Sequence, residues 1–295
     1  MKRQFQGILA LLTATIIWGS TFVAQSVGMD YIGPFTFQSL RCLLAFIFLL
    51  ICALLQSPKT FLDLWKNKRV WKAGSLCGIA LFASSSLQQV GLLYTDAGKA
   101  GFLTAMYIVL VPVLGIFLKK KPPKSTLPSV ILSMAGLYLL SAGGLGSINR
   151  GDLLILGCAF AYSVQITLVD QLTPGLNGLH VNCIQCLVCG ILSVPPMLLS
   201  ETVHYDRILQ CWLPLGYAGI LSLGAAYTLQ IVGQQRVEPT KAALIMSLES
   251  VFAAVGGWLI LHESMTGKEL LGCGLIFAAV ILSQIPFERK NGASG

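Results

Sequence analysis

Charge is what this sequence has least of. Only 11% of its 295 residues are Asp, Glu, Lys or Arg, while 55% are apolar; soluble domains carry roughly 25% charged residues. That shortage excludes a soluble enzyme and a disordered chain, neither of which stays solvated with so little charge. Histidine is scarce too, with three in the chain. His262-Glu263 has no second histidine four residues on, so the metalloprotease pattern is missing, and no Walker loop is present to bind ATP. The nine cysteines are an odd number without paired loop spacing, which excludes a disulfide-stapled secreted scaffold. The net charge of +8 is not gathered into a patch but lies between apolar runs, so the partner it indicates is a lipid bilayer and not nucleic acid.

Hydrophobic runs, rich in Gly and Pro, fill the rest. At about 20 residues per helical span, the sequence predicts ten spans: 7–27, 33–55, 71–93, 100–118, 126–144, 152–171, 178–199, 210–234, 242–261 and 266–286. The start, Met1-Lys2-Arg3 followed by Gly7 to Ile17, imitates a signal peptide. The run continues past Trp18 to Val27 with no small-residue cleavage site, so it reads as an uncleaved first span. Of the 20 Lys and Arg, 15 fall in loops on the side of the N-terminus, 4 on the opposite side, and Arg41 lies inside a span. By the positive-inside rule both termini are expected in the cytoplasm of a cell whose plasma membrane the chain crosses. The fold class is therefore an all-α membrane protein.

A duplication is visible at an offset of 142. Leu87, Gln88, Val90, Gly91, Lys99 and Ala100 match Leu229, Gln230, Val232, Gly233, Lys241 and Ala242, six identities over 24 aligned positions. Tyr107 falls opposite Glu249, and at an offset of 144 Trp18 falls opposite Tyr162 and Thr21 opposite Gln165. Each half holds five predicted spans, an odd number, so the second half must be threaded upside-down. The expected architecture is two inverted five-helix repeats, 1–145 and 146–290, around a central cavity, with 291–295 as a tail. Inverted repeats with a midplane substrate site are a transporter design.

The chain resembles a ten-helix member of the drug/metabolite transporter superfamily built from two EamA domains. The resemblance is carried by Trp18-Gly19-Ser20-Thr21-Phe22, by Pro34 with Arg41, by Gly101-Phe102-Leu103-Thr104 with Tyr107 and Pro112, by Gly151-Asp152, and above all by Ala242 to Glu263 with Leu270-Leu271-Gly272. Two departures stand out. Ser250 replaces the usual proline after Glu249, which predicts a straighter ninth helix, and Lys119-Lys120-Lys121 replaces an acidic residue at the end of the fourth span. The resemblance implies that spans 1, 3, 4, 6, 8 and 9 line the cavity, that 5 and 10 are peripheral, and that transport is export. Polar residues at helical spacing agree with that: Trp18, Thr21 and Gln25; Ser85 and Gln88; Thr104 and Tyr107; Tyr162 and Gln165; Tyr227, Gln230 and Gln234.

Within these stripes the candidates differ in weight. Glu249 lies roughly 15 Å into its span, counted from Pro239 at 1.5 Å per residue, where an ionisable group costs roughly 2.5–3.5 kcal/mol to insert. It is kept as a coupling or substrate carboxylate, or as a structural carboxylate bonded to neighbouring helices. Arg41 is about 12 Å deep, cannot shed its charge, and reads first as a structural clamp with Glu249 as a candidate partner. Gln88 and Gln230 are repeat-related amides that contact substrate or bridge helices. Trp18, Tyr107, Tyr162 and Tyr227 form an aromatic box or simply pack. Glu263 reads as an interfacial carboxylate, part of a gate. Cys183, Cys186 and Cys189 repeat every three residues, but thiols on one rigid helix cannot converge on a metal, so no metal and no cofactor is expected.

The function expected is a secondary active transporter of a small organic metabolite, such as an amino acid or related amphipathic compound. It would work by alternating access, with Glu249 as a site for proton coupling and the protein a monomer or homodimer. An uncoupled facilitator is the main alternative. An integral membrane enzyme is a weaker one, because no nucleophile, base or metal ligands cluster.

Overall fold

The computed structural model describes residues 2–95, 97–119, 125–140, 149–260 and 266–284, and among them every regular element is helical. Eight helical stretches are long and apolar enough to cross a membrane. Six are uninterrupted: α1 (Lys2–Met29), α2 (Pro34–Gln56), α4 (Lys68–Gly91), α8 (Arg150–Leu172), α9 (Gly178–Ser200) and α15 (Gly267–Gln284). Two are composite. α5 (Ala97–Thr104) runs into α6 (Tyr107–Phe117), and α11 (Trp212–Gly216) runs through a π-helical segment, Tyr217–Ala226, into α12 (Tyr227–Gln234). Shorter helices complete the set: α3 (Pro58–Lys66), α7 (Thr126–Leu140), α10 (Tyr205–Gln210), α13 (Pro239–Met246) and α14 (Glu249–Ile260). The amphipathic α3 and the short α10 lie in what the sequence reads as loops.

Local chemistry sets the starts of these helices. Asn149 and Asp152 form a reciprocal capping box on α8, and Asn67 and Asn177 accept from the first-turn amides of α4 and α9. Pro34 opens α2 with the fixed φ a first turn needs. The α2 amides are capped from far along the chain: Glu201 accepts from Phe35 N at 2.7 Å, Thr36 N at 2.8 Å and Thr36 Oγ1 at 2.6 Å. A carboxylate there satisfies orphan donors and meets the positive end of the helix dipole.

Packing partners are exchanged between the two sequence repeats. α1 runs along the π segment, α12 and α14, while α8, its counterpart, runs along α4, α5 and α6. α2 packs on α9, and α7 on α15. Each repeat therefore completes its core with the other, and neither has an independent interior. The outer faces are apolar: Leu43, Ile47, Ile51 and Leu54 on α2 and Leu270, Phe277 and Ile281 on α15 are exposed. A surface of this kind suits hydrocarbon, where backbone polar groups must be satisfied within the helices.

The spans predicted at 100–118 and 242–261 are each interrupted. Met106 N bonds Leu103 O and Ile108 N bonds Ala105 O; 142 positions on, Leu248 N bonds Ile245 O and Ser250 N bonds Ser247 O. Both helices tighten to i→i−3 bonding at repeat-equivalent residues. With Ser250 in place of proline the ninth helix is still interrupted, and the break comes from this local tightening and not from a missing donor. The 120–124 and 141–148 connections and Glu263 lie outside the described residues.

Candidate functional site

Two large apolar clusters fill the interior. One is centred on α5, α6, α13 and α14, the other on α2, α4 and α9, and Trp18 and Tyr162 pack against both. Between the clusters lies a cavity whose empty space, open mouth included, is about 570 Å³. α1 contributes Trp18, Thr21, Phe22 and Gln25; α4 and α5 contribute Gln88 and Thr104; and α8 contributes Tyr162, Gln165 and Ile166. The π segment and α12 add Ser222, Leu223, Tyr227 and Gln230, while Tyr107, Met246 and Glu249 come from the two interrupted helices. Among the described residues, α7 and α15 contribute nothing to this wall.

The sequence candidates Trp18, Thr21, Gln88, Tyr107, Tyr162, Gln165, Tyr227, Gln230 and Glu249 are thus brought to one space. Ser85 is not. It is fully buried behind the wall, donating to Leu81 O at 2.5 Å and accepting from Gln38. The i, i+3 stripe places Ser85 and Gln88 on one side of α4, but only Gln88 reaches the opening. Arg41 departs in the other direction: it lines the cavity, so α2 belongs to the wall although the resemblance assigns that span no such part. Nor does Arg41 pair with Glu249. Its guanidinium donates to Gln25 Oε1 at 2.8 Å and, from Nε at 2.9 Å and also from Nη2, to Gln38 Oε1, with the Phe37 ring 5.6 Å away.

Glu249 stands first in α14, and its carboxylate accepts from the Tyr107 hydroxyl at 3.1 Å. These two residues are each other's repeat equivalents, so they meet where the relation between the repeats maps one wall onto the other. Trp18 meets Tyr227 edge-to-face with ring centroids 4.9 Å apart, and Tyr227 Oη donates to Tyr162 Oη at 3.4 Å. The aromatic residues are therefore a connected cluster that also faces the opening.

A chain of amides runs outward from Gln230. Gln230 Nε2 donates to Gln165 Oε1 at 3.1 Å, Gln165 Nε2 to Gln185 Oε1 at 3.3 Å, and Gln185 Nε2 to Asn182 Oδ1 at 3.2 Å. Asn182 Nδ2 in turn donates to Leu223 O at 2.8 Å, Gly224 O at 3.0 Å and Thr228 Oγ1 at 3.0 Å. In a π segment the carbonyls change partners, and Asn182 takes up two of them. Sequence reading missed Gln38, Asn182 and Gln185. Asn182 and Gln185 are spaced i, i+3 within the cysteine-bearing helix, where the thiols drew the attention that the amides merited. Among the described residues no three His, Cys, Asp or Glu side chains are grouped to hold a metal.

Helices that are apolar outside and polar at a shared interior cavity define a polytopic membrane protein with an enclosed polar chamber. The chain belongs to the EamA-like transporter family of the drug/metabolite transporter superfamily: the family model matches twice, over residues 5–142 and 149–284. It is 32% identical over 275 residues to an uncharacterized transporter of Archaeoglobus fulgidus, covering 93% of this chain and 84% of that protein. An uncharacterized transporter of Bacillus subtilis, YoaV, is 22% identical over 96% of this chain and 98% of its own. The threonine/homoserine exporter RhtA of Escherichia coli is 29% identical over 169 residues, 55% of each chain. A protein crystal structure of 20% identity superposes with a TM-score of 0.79, covering 94% of this chain and 96% of that one. It shows that the fold is shared.

Proposed function

We propose that the protein is a secondary active transporter that exports a small amphipathic metabolite, of the size and polarity of an amino acid, across the plasma membrane by alternating access. The observation that carries this reading is the meeting of Tyr107 and Glu249 at the wall of an interior cavity, each at the same place in its own repeat. In this reading ten helices cross the membrane as two inverted halves, 1–145 and 146–290, with both termini in the cytoplasm. The partial similarity to a threonine/homoserine exporter supports an amino-acid-like cargo and an outward direction. Glu249 is the one acid among the described cavity-lining residues and is the coupling site for a proton.

Proteoliposomes test this directly. Wild-type protein is expected to release a preloaded labelled amino-acid mixture faster when a pH gradient is imposed, and Glu249→Gln to release it at a rate that ignores the gradient. Flux that is saturable but blind to the gradient in the wild type would make the protein an uncoupled facilitator.

A further inference from the structure

Arg41 is 3% exposed, and its described hydrogen-bond partners, Gln25 and Gln38, are neutral amides. A guanidinium keeps its charge under any condition the protein meets. Buried charges normally have a counter-charge, because desolvation is repaid only by a close opposite charge with good geometry. Among the described residues none touches Arg41, although a carboxylate lies across the same cavity. Both amides present their oxygens to the guanidinium, as supports that aim it would. Gln25 and Gln38 take three of its five N–H groups, one each on Nε, Nη1 and Nη2. The cavity thus has a fixed cationic pole on α2 and an acidic pole on α14.

The rest of the wall is also informative. Tyr162 and Tyr227 line the same cavity as Arg41 and Glu249. Two polar atoms of the wall are buried without a partner among the described residues: Trp18 Nε1, a donor, and Gln230 Oε1, an acceptor. Such atoms are rare in folded proteins and here belong to side chains facing one space.

We propose that the cavity binds a zwitterion in one orientation, its carboxylate on the Nη1 and Nη2 hydrogens of Arg41 that Gln25 and Gln38 leave open and its ammonium on Glu249 beside the Tyr107 hydroxyl. The rest of the molecule lies along the rings of Trp18, Tyr162 and Tyr227. A planar fork matches a carboxylate in two parallel bonds, so Arg41 selects for the acid group and Glu249 for the amine. The two poles have no bond to each other because the ligand supplies the link. This rests on reading the cavity as the transport site, and it moves Arg41 from a clamp to a substrate residue.

The test uses full-length protein in detergent. Thermal shift against the twenty common L-amino acids finds those that stabilise it, since a ligand bound to the folded state raises the midpoint by mass action. Each such amino acid is then titrated calorimetrically beside its decarboxylated amine and its deaminated acid. Both truncated compounds are expected to bind at least about thirtyfold more weakly, the loss that follows when one partner of a desolvated charge pair is removed. Arg41→Gln is expected to weaken the amino acid by a similar factor while leaving the amine's affinity where it was. Arg41→Lys, which keeps the charge but not the fork, is expected to fall between. Equal affinity for amino acid and amine, a comparison that needs no variant, would overturn the proposal. So would unchanged amino-acid affinity in folded Arg41→Gln. If no amino acid binds but proteoliposomes carry another solute, this assignment falls and the transporter reading stands; if amino acids bind as described and nothing is carried, the reverse holds.

Discussion

The carboxylate of Glu249 accepts its one described hydrogen bond from Tyr107, and that tyrosine is 3% exposed. Tyr107→Phe keeps the ring and its packing and removes only the donor, a change worth about 1 kcal/mol of stability. Its expected signature is therefore a small shift in unfolding temperature together with a large fall in flux; a proportionate fall in both would make the hydroxyl merely structural. Glu249 and Tyr107 were legible in the sequence because the duplication aligns them and because a lone acid in an apolar span stands out. Arg41 stood out for the same reason, but its role was not legible. Periodicity gives depth and face along one helix, not which helix lies beside it, and the structure puts α2 at the wall. Ser85 shows the converse: three residues from Gln88 on the same stripe, it faces Gln38 instead of the opening.

Among the elements, the interrupted helices and the π segment were the least readable. An apolar stripe has nearly the same appearance whether backbone bonds run i→i−3, i→i−4 or i→i−5, so composition and spacing do not separate these states. Where both ends of a predicted span are described, the helix ends, in contrast, lie within a few residues of it, because caps such as Asn149 and Asn177 and the abrupt return of charge mark them. The π segment is braced by a side chain from another helix. Asn182 is fully buried and donates to Leu223 O and Gly224 O, and no other residue type of its size presents a donor pair in that place. Asn182→Leu leaves those carbonyls and the Gln185 amide short of partners, at about 1–3 kcal/mol. A clear drop in the thermal midpoint is expected, with the Gln165–Gln230 end of the amide chain loosened. Thr228→Val removes a hydroxyl that accepts from Asn182 and donates to Gly224 O at 2.7 Å, but leaves both Asn182 bonds to the segment, and should cost less. Equal midpoints for Asn182→Leu and wild type would mean that the π segment holds itself.

For the whole molecule, the exchange of partners between repeats produces two equivalent close contacts. Near the start of α1, Gly7 approaches α12 so closely that a Cβ on Gly7 would lie 3.1 Å from Gly233 O, and one on Gly233 would lie 3.0 Å from Gly7 O. Near the start of α8, a Cβ on Gly151 would lie 2.7 Å from Gly91 O. Gly7 corresponds to Gly151 and Gly233 to Gly91. If the halves are threaded oppositely, the first contact closes the cytoplasmic end of the cavity and the second the external end. Side chains at these glycines are wedges: backbone oxygens cannot move aside without parting the helices. Gly233→Leu should then bias the protein open to the cytoplasm, and Gly91→Leu open to the outside. A cysteine at Thr104, on the cavity wall in a background free of other cysteines, reports which. In intact cells an impermeant maleimide is expected to label it faster in Gly91→Leu than in the parent and slower in Gly233→Leu, and inside-out vesicles should reverse the order. The native cysteines must be replaced first, since eight of the nine are buried and would emerge with any opening. Labelling that changes in the same direction for both wedges would mean the two contacts lie at one end of the molecule, and a rocking motion between inverted halves could not then be how the cavity changes sides.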